Sequence, residues 1–364
     1  MTVIYISESN PMSSIGGAAN TASNWIDRLL ERDVEIDIIC RGESDTAVVE
    51  DGVTIKQLSG LKPQEKIADQ LEKEEYDVTL IQDLWADIAL EAAAANDIPS
   101  VLSLTTTHAD EDVIREFSPT RFIANSQYTQ QWITSIWGRD SHVVYPHIDF
   151  DFYTAPDGSS DSFSMINPIG MKGGQIFRAV AEQFPERDFL AKRGWYSFRT
   201  DDYSWDLETL RIQGNTFHGV PLNIPDEELK KNGPTDVTFD DVENVTFTNK
   251  QEILAFYANT NVLLVPSVWQ ETFGRVVLEA MWNGIPVIAS HQGGLPEACG
   301  GAGLLVEDFT NPEAWAEKLG RMDDPAVYDG FAEQGRKRAE QYKAELPDQI
   351  DTLKTVLEDA ATEQ

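Results

Sequence analysis

Short apolar runs alternate with longer amphipathic stretches along most of the chain. In the first part, 3–6, 34–40, 78–81, 101–104, 122–124 and 143–145 read as strands, and 18–32, 63–75, 86–96 and 128–137 as helices. The first run, Val3, Ile4, Tyr5 and Ile6, has no polar break, as expected of a strand covered on both faces. This alternation predicts an α/β fold, a parallel sheet flanked by helices. A stretch rich in Asp, Gly, Ser and Pro, 149–162, interrupts it and suggests a domain boundary. Strands then resume at 163–166, 245–247, 262–265, 286–289 and 304–306, with helices at 174–183, 251–258, 274–283, 312–321 and 324–343. A last helix, 347–361, is expected to pack back on the first domain. The organisation expected is therefore 1–150, 151–345 and a C-terminal helix within 346–364. Residues 195–241 are polar and weakly periodic, and no element is assigned there.

Length supports two domains, since 364 residues exceed what one small core needs. No apolar run approaches the roughly 18 residues of a membrane span, and the N-terminus reads as a strand and not a signal peptide. Cys40 and Cys299 are the only cysteines and form no ligand cluster, which fits a reducing, cytoplasmic setting. Charge changes the picture more. Asp and Glu number 62 against 28 Lys and Arg, a net −34 spread along the chain. Such a field repels nucleic acid and anionic membranes, and is the surface expected of a halophilic protein, where salt screens self-repulsion.

Candidate chemistry concentrates in 262–299. The buried-type strand 262–265 ends at Pro266-Ser267, and a loop leads to a helix opening at Gly274. In open α/β sheets ligands bind where strands end and helices begin, and a helix N-terminus offers N–H groups and positive potential to phosphate. Val276, Val277, Leu278, Ala280, Met281 and Trp282 make this helix apolar nearly all round. Arg275, Glu279 and Asn283, four apart, form one polar stripe. A carboxylate on such a helix needs a partner. The residues leave two candidates, a ligand's hydroxyl groups and Arg275.

The run Gln270-Glu271-Thr272-Phe273-Gly274-Arg275-Val276-Val277-Leu278-Glu279-Ala280-Met281 resembles the E-x7-E segment of the retaining glycosyltransferases of GT-B fold, family four (group 1). Val265-Pro266-Ser267 before it, and Gly284-Ile285-Pro286-Val287, Gly293-Gly294-Leu295-Pro296-Glu297 and Gly303-Leu304-Leu305-Val306 after it, continue the pattern. The resemblance implies two Rossmann-like domains facing each other across a cleft, with the acceptor mainly in the first and the donor in the second. It implies a hexosyltransferase taking a UDP- or GDP-linked sugar to a hydroxyl acceptor, carbohydrate or lipid-linked, without metal or cofactor. Glu279 would hold the ribose hydroxyls and Glu271 would sit by the donor sugar. Thr272, Phe273 and Gly274 would present N–H groups to the diphosphate.

Other positions extend the resemblance. Gly16-Gly17 follow the first strand, where the family brings backbone close to the donor; G-x-G-x-x-G is absent, which argues against a nicotinamide site. Lys172 matches a diphosphate-binding lysine. The family's preceding Arg is missing, with Met165-Ile166-Asn167-Pro168 in its place, and Arg193 or Arg199 are candidate substitutes. His108 follows the strand 101–104, where relatives contact donor sugar or acceptor. Two rivals remain: a nucleotide-sugar epimerase of the same fold, and a non-catalytic nucleotide-sugar-binding protein, which the missing Arg favours.

Overall fold

Val3 and Tyr5 of strand β1 (Thr2–Ile6) join one apolar core and Ile4 and Ile6 another, so the uninterrupted run is covered on both faces. The computed structural model describes residues 1–14, 16–82, 85–106, 111–156, 158, 161–192, 216–217, 220–221, 237, 239, 241–248 and 252–363. It forms two units, Met1–Ile148 with Glu345–Gln364, and Asp149–Ala344.

In the first unit, β1 is followed by α1 (Gly17–Leu30), β2 (Glu35–Arg41), β3 (Thr46–Glu50), β4 (Val53–Leu58), α2 (Pro63–Leu71), β5 (Val78–Gln82) and α3 (Ala86–Ala95). Then come β6 (Ser100–Leu104), α4 (Glu111–Glu116), β7 (Arg121–Ala124), α5 (Gln127–Trp137) and β8 (His142–Val143). The sheet order is β3-β4-β2-β1-β5-β6-β7-β8, parallel except for β3. Trp25, Ile26 and Leu29 of α1 cover one face together with Ile350, Leu353, Val356 and Leu357 from the end of the chain. Ile67 and Leu71 of α2, with Ala89 and Leu90 of α3, cover the other.

The hairpin β3–β4 has no counterpart in the elements expected from sequence. Its turn is Asp51-Gly52, both at positive φ (49° and 85°), a two-residue connection matching strand twist. All of β3 is exposed, so it shows no inward-facing apolar alternation.

The second unit holds β9 (Phe163–Ile166), α6 (Gly174–Gln183), β10 (Phe189–Lys192), the short pair β11 (Thr216–Phe217) and β12 (Val220–Pro221), and β13 (Val245–Thr248). It continues with α7 (Ile253–Ala258), β14 (Val262–Val265), α8 (Arg275–Trp282), β15 (Val287–Ser290), α9 (Leu295–Cys299), β16 (Leu304–Val306), α10 (Pro312–Gly320) and α11 (Pro325–Thr362). Its main sheet, β13-β10-β9-β14-β15-β16, is wholly parallel. Phe163, Phe177, Phe189 and Trp315 anchor its core, with Phe177 edge-on to Phe189.

The break expected near Pro347 does not occur, and α11 runs through it for 38 residues. A proline inside a helix costs about 3 kcal/mol. Leu346, Ile350, Leu353, Val356 and Leu357 are all buried around and beyond it. At about 1.5–3 kcal/mol per buried aliphatic side chain, their burial outweighs the lost hydrogen bond.

Candidate active site

Strands β9 and β14 are neighbours, yet the chain leaves them in opposite directions: β10 and β13 lie on one side of β9, β14 to β16 on the other. This is a topological switch point, where diverging loops at the carboxyl ends of adjacent strands open a crevice. Lys172 ends a 3-10 turn (Gly170–Lys172) that follows β9, and Glu271 lies in the loop after β14. Topology thus brings together two motifs 99 residues apart. Lys172 Nζ donates to Glu271 Oε1 at 2.5 Å, and Ser267 Oγ donates to the same oxygen at 2.6 Å. Both members of the ion pair keep some exposure, 27% and 16% of their side chains, so it borders solvent.

Backbone contacts fix this arrangement. The N–H groups of Val268 and Trp269 both donate to the Met171 carbonyl, at 3.1 and 3.0 Å, tying the Glu271 loop to the Lys172 turn. The two segments touch so closely that a Cβ on Gly173 would lie 1.9 Å from the Pro266 carbonyl oxygen. Gly294 packs against the other side of the loop: its N–H donates to the Glu271 carbonyl at 2.6 Å, and a Cβ there would lie 2.3 Å from the Thr272 carbonyl oxygen. The glycine-rich segments therefore let three loops share one tight backbone cluster.

Gly274 is the N-cap of α8, at φ 99°, and as a glycine it supplies no side-chain cap of its own. Thr272 is buried, and the Phe273 ring packs against Tyr342 with centroids 5.7 Å apart.

Glu279 points inward and is 4% exposed. Of the partners left open by sequence, the structure supplies Arg275, whose Nε is 3.5 Å from Oε1, and adds one unforeseen: the Tyr257 hydroxyl donates to Oε2 at 2.7 Å. The Tyr257 phenol is held well above its usual range, by burial first and by the Glu279 charge second, so it remains a neutral donor. Asn283, third in the polar stripe, serves the local fold instead, its side chain bonding the Tyr153 carbonyl and the Ala155 N–H.

In the first unit, Gly16 precedes α1 at φ 158°, ψ 161°, and a Cβ there would meet nothing within 4 Å. Gly17 opens α1, after central strand β1, whose neighbours β2 and β5 lie on opposite sides. His108, Arg193 and Arg199 lie outside the described residues. Asn167, within the Met165-Ile166-Asn167-Pro168 run, sits at φ 60° with its N–H donating to the Lys192 carbonyl at 2.7 Å. Among the described residues no group of three or more His, Cys, Asp or Glu could hold a metal ion, and no helix is long and apolar enough to cross a membrane.

Two family models match the chain, "Glycosyltransferase Family 4" over residues 15–152 and "Glycosyl transferases group 1" over 219–323. Anabaena HepE, crystallised with UDP-glucose, superposes with a TM-score of 0.71 at 17% identity, covering 98% of this chain and all of that one. The chain is a glycosyltransferase of GT-B fold.

Sequence relatives agree. Spore coat protein SA of Bacillus subtilis is 24% identical to this glycosyltransferase over 334 residues, 87% of this chain and 88% of that protein. A D-inositol 3-phosphate glycosyltransferase of Mycolicibacterium gilvum is 38% identical over 219 residues, 57% of this chain; the match spans less than half of that relative, 46%. Two residues that sequence reasoning missed stand out in the candidate site. Ser267 carried a weak signal, four positions before Glu271 at a strand end. Tyr257 carried none, since one tyrosine in a short helix reads as core.

Proposed function

We propose that this glycosyltransferase moves a sugar from a UDP- or GDP-linked donor to a hydroxyl acceptor, with retention at the anomeric carbon and without metal or cofactor. The observation that carries the reading is the meeting of Lys172 and Glu271 at a switch point, beside a helix N-terminus with no side-chain cap. The cation and the α8 N-terminus suit the diphosphate, and Glu271 suits the sugar. Glu279 suits the ribose hydroxyls. HepE, of the same fold, was crystallised with UDP-glucose, which favours a nucleotide-sugar donor.

In the proposed reaction the bond between the anomeric carbon and the diphosphate oxygen breaks first, giving an oxocarbenium-like transition state. The acceptor oxygen bonds to the same face, and its proton passes to the departing phosphate. Lys172 and the N–H groups at Thr272, Phe273 and Gly274 offset the charge growing on the leaving group, worth roughly 3–4 kcal/mol per well-placed donor. In the first unit, which we assign to the acceptor, a Cβ on Gly16 would meet nothing within 4 Å, which suits close approach of a ligand at Gly16-Gly17. His108 is proposed to act beside the transferred sugar. We place the donor in 151–345 and the protein in the cytoplasm.

The test is a thermal-unfolding panel at high salt with UDP, GDP, ADP and their sugars, followed by product analysis with an acceptor. A matched nucleotide at about 100 times its Kd stabilises by roughly 2.7 kcal/mol, and Glu279→Ala should sharply reduce that shift. NMR of the product should show the donor's anomeric configuration, with a rate unchanged by EDTA. Binding without transfer or donor hydrolysis would favour the non-catalytic rival, and an epimerised sugar without acceptor the epimerase.

A further inference from the structure

Glu279 is held by two groups of different chemistry. Tyr257 pins Oε2 at 2.7 Å, whereas Arg275 reaches Oε1 only at 3.5 Å, the outer limit of a hydrogen bond. Tyr257 is a rigid post. It is 2% exposed, on α7, with its ring packed near edge-on against Tyr153, centroids 6.5 Å apart and planes at 74°. Its phenol is neutral, so it orients the carboxylate without cancelling its charge. Arg275 does the opposite. A guanidinium that closed on Glu279 would take lone pairs from both oxygens in a forked, charge-assisted pair. A carboxylate has about four acceptor sites. With Oε2 anchored on Tyr257 and the arginine at long range, the remaining sites stay open, which is the condition for gripping two neighbouring hydroxyls.

We propose that Tyr257 is the positioning residue that sets Glu279 to read the ribose, making the enzyme selective for ribonucleotide over 2′-deoxyribonucleotide diphosphate sugars. This rests on the ribose-binding reading of Glu279 given above. A nucleotide lacking one hydroxyl leaves a desolvated carboxylate lone pair unmatched, and hydrogen bonds to a charged group carry about 10- to 100-fold in affinity.

The experiment is calorimetric titration of the full-length protein at high salt with UDP, GDP and their 2′-deoxy forms, for wild type, Tyr257→Phe and Glu279→Ala. Thermal unfolding of each variant confirms that it is folded. Phenylalanine keeps the ring and its packing and removes only the hydroxyl. The wild type should prefer the ribonucleotide about 10- to 100-fold. Tyr257→Phe should weaken ribonucleotide binding about tenfold while leaving the deoxy form nearly unchanged, so that the preference collapses. Equal weakening of both forms would mean that Tyr257 only packs, and would overturn the proposal. So would a preference lost in Glu279→Ala but kept in Tyr257→Phe, with the ribose reading left standing. A preference absent from the wild type, or kept in Glu279→Ala, would remove the ribose reading itself.

Discussion

Lys172 Nζ and Glu271 Oε1 lie 2.5 Å apart although 99 residues separate them in sequence. One follows β9 and the other β14, and those strands are adjacent only because the chain crosses over between them. A pair built this way is a poor stabiliser. Its members border solvent, and partly exposed ion pairs contribute about 0–1 kcal/mol. Its charges do suit the two ends of a nucleotide sugar, cation to diphosphate and carboxylate to sugar.

Lys172→Met should therefore lower kcat/KM about 100-fold or more while shifting unfolding by no more than about 1 kcal/mol. Glu271→Gln should do the same. Since both are proposed to act on one donor, the double variant should be far less impaired than the product of the two single effects. Steady-state kinetics beside thermal unfolding checks this. A large loss of stability with proportionate loss of activity would make the pair structural.

Most of the fold was legible because parallel strands buried on both faces leave continuous apolar runs, as at 3–6 and 262–265. What failed to read did so for physical reasons. Strand β3 is exposed along its length and carries no burial signal, although the Asp51-Gly52 turn beside it was a local cue. Strand β10 ends in Lys192, a buried cation that interrupts a short run. Pro347 read as the start of a separate last helix because its local penalty was visible and the burial that offsets it was not. At the candidate site, Lys172, Glu271 and Glu279 were singled out through a resemblance and Arg275 was foreseen as a partner of Glu279, but Ser267 and Tyr257 were not. That Glu279 meets Tyr257 depends on α7 packing beside α8, which no spacing in the sequence encodes.

Gly173 tests how far backbone contact sets the site. Its φ is 80°, and an alanine Cβ would fall 1.9 Å from the Pro266 carbonyl oxygen, so the Lys172 turn or the Glu271 loop must move. Gly173→Ala should cost more than about 2 kcal/mol of stability and weaken donor binding as well. Gly16→Ala meets open space and should leave the second unit's cluster untouched. Chemical unfolding with donor titration compares the two. Full stability in Gly173→Ala would show that the loops are looser than this contact implies.

The two thiols should be silent in the native protein. Burial pushes Cys40 up to about 11 and Cys299 up to about 12, from an ordinary value of 9.0. The folded state thus keeps both protons after the unfolded state begins to lose its own. The sign follows: stability is unaffected below about pH 9 and falls as pH rises above it. Iodoacetamide at about pH 8 should modify neither cysteine natively and both in denaturant. Native labelling at a rate near that of free cysteine would contradict the burial.

Charge sets the last expectation. With 62 acidic and 28 basic residues, the chain carries a net −34, an excess of like charge. At about 0.01 M salt the screening length is about 30 Å and repulsion sums over much of the molecule; at about 1 M it is about 3 Å and only near neighbours interact. The unfolded chain is more expanded and repels itself less, so dilute salt should favour unfolding. We expect the midpoint of thermal unfolding to rise steeply with potassium chloride, most of the gain arriving before about 1 M, as screening saturates. Replacing exposed acids with lysines, for instance Glu72 and Glu75, should shift the protein towards stability at lower salt. Sucrose, which strengthens burial by exclusion without screening charge, should not reproduce the early rise. A midpoint flat from millimolar to molar salt would mean that the acids are placed so as not to oppose folding, and the halophilic reading of the surface would fall.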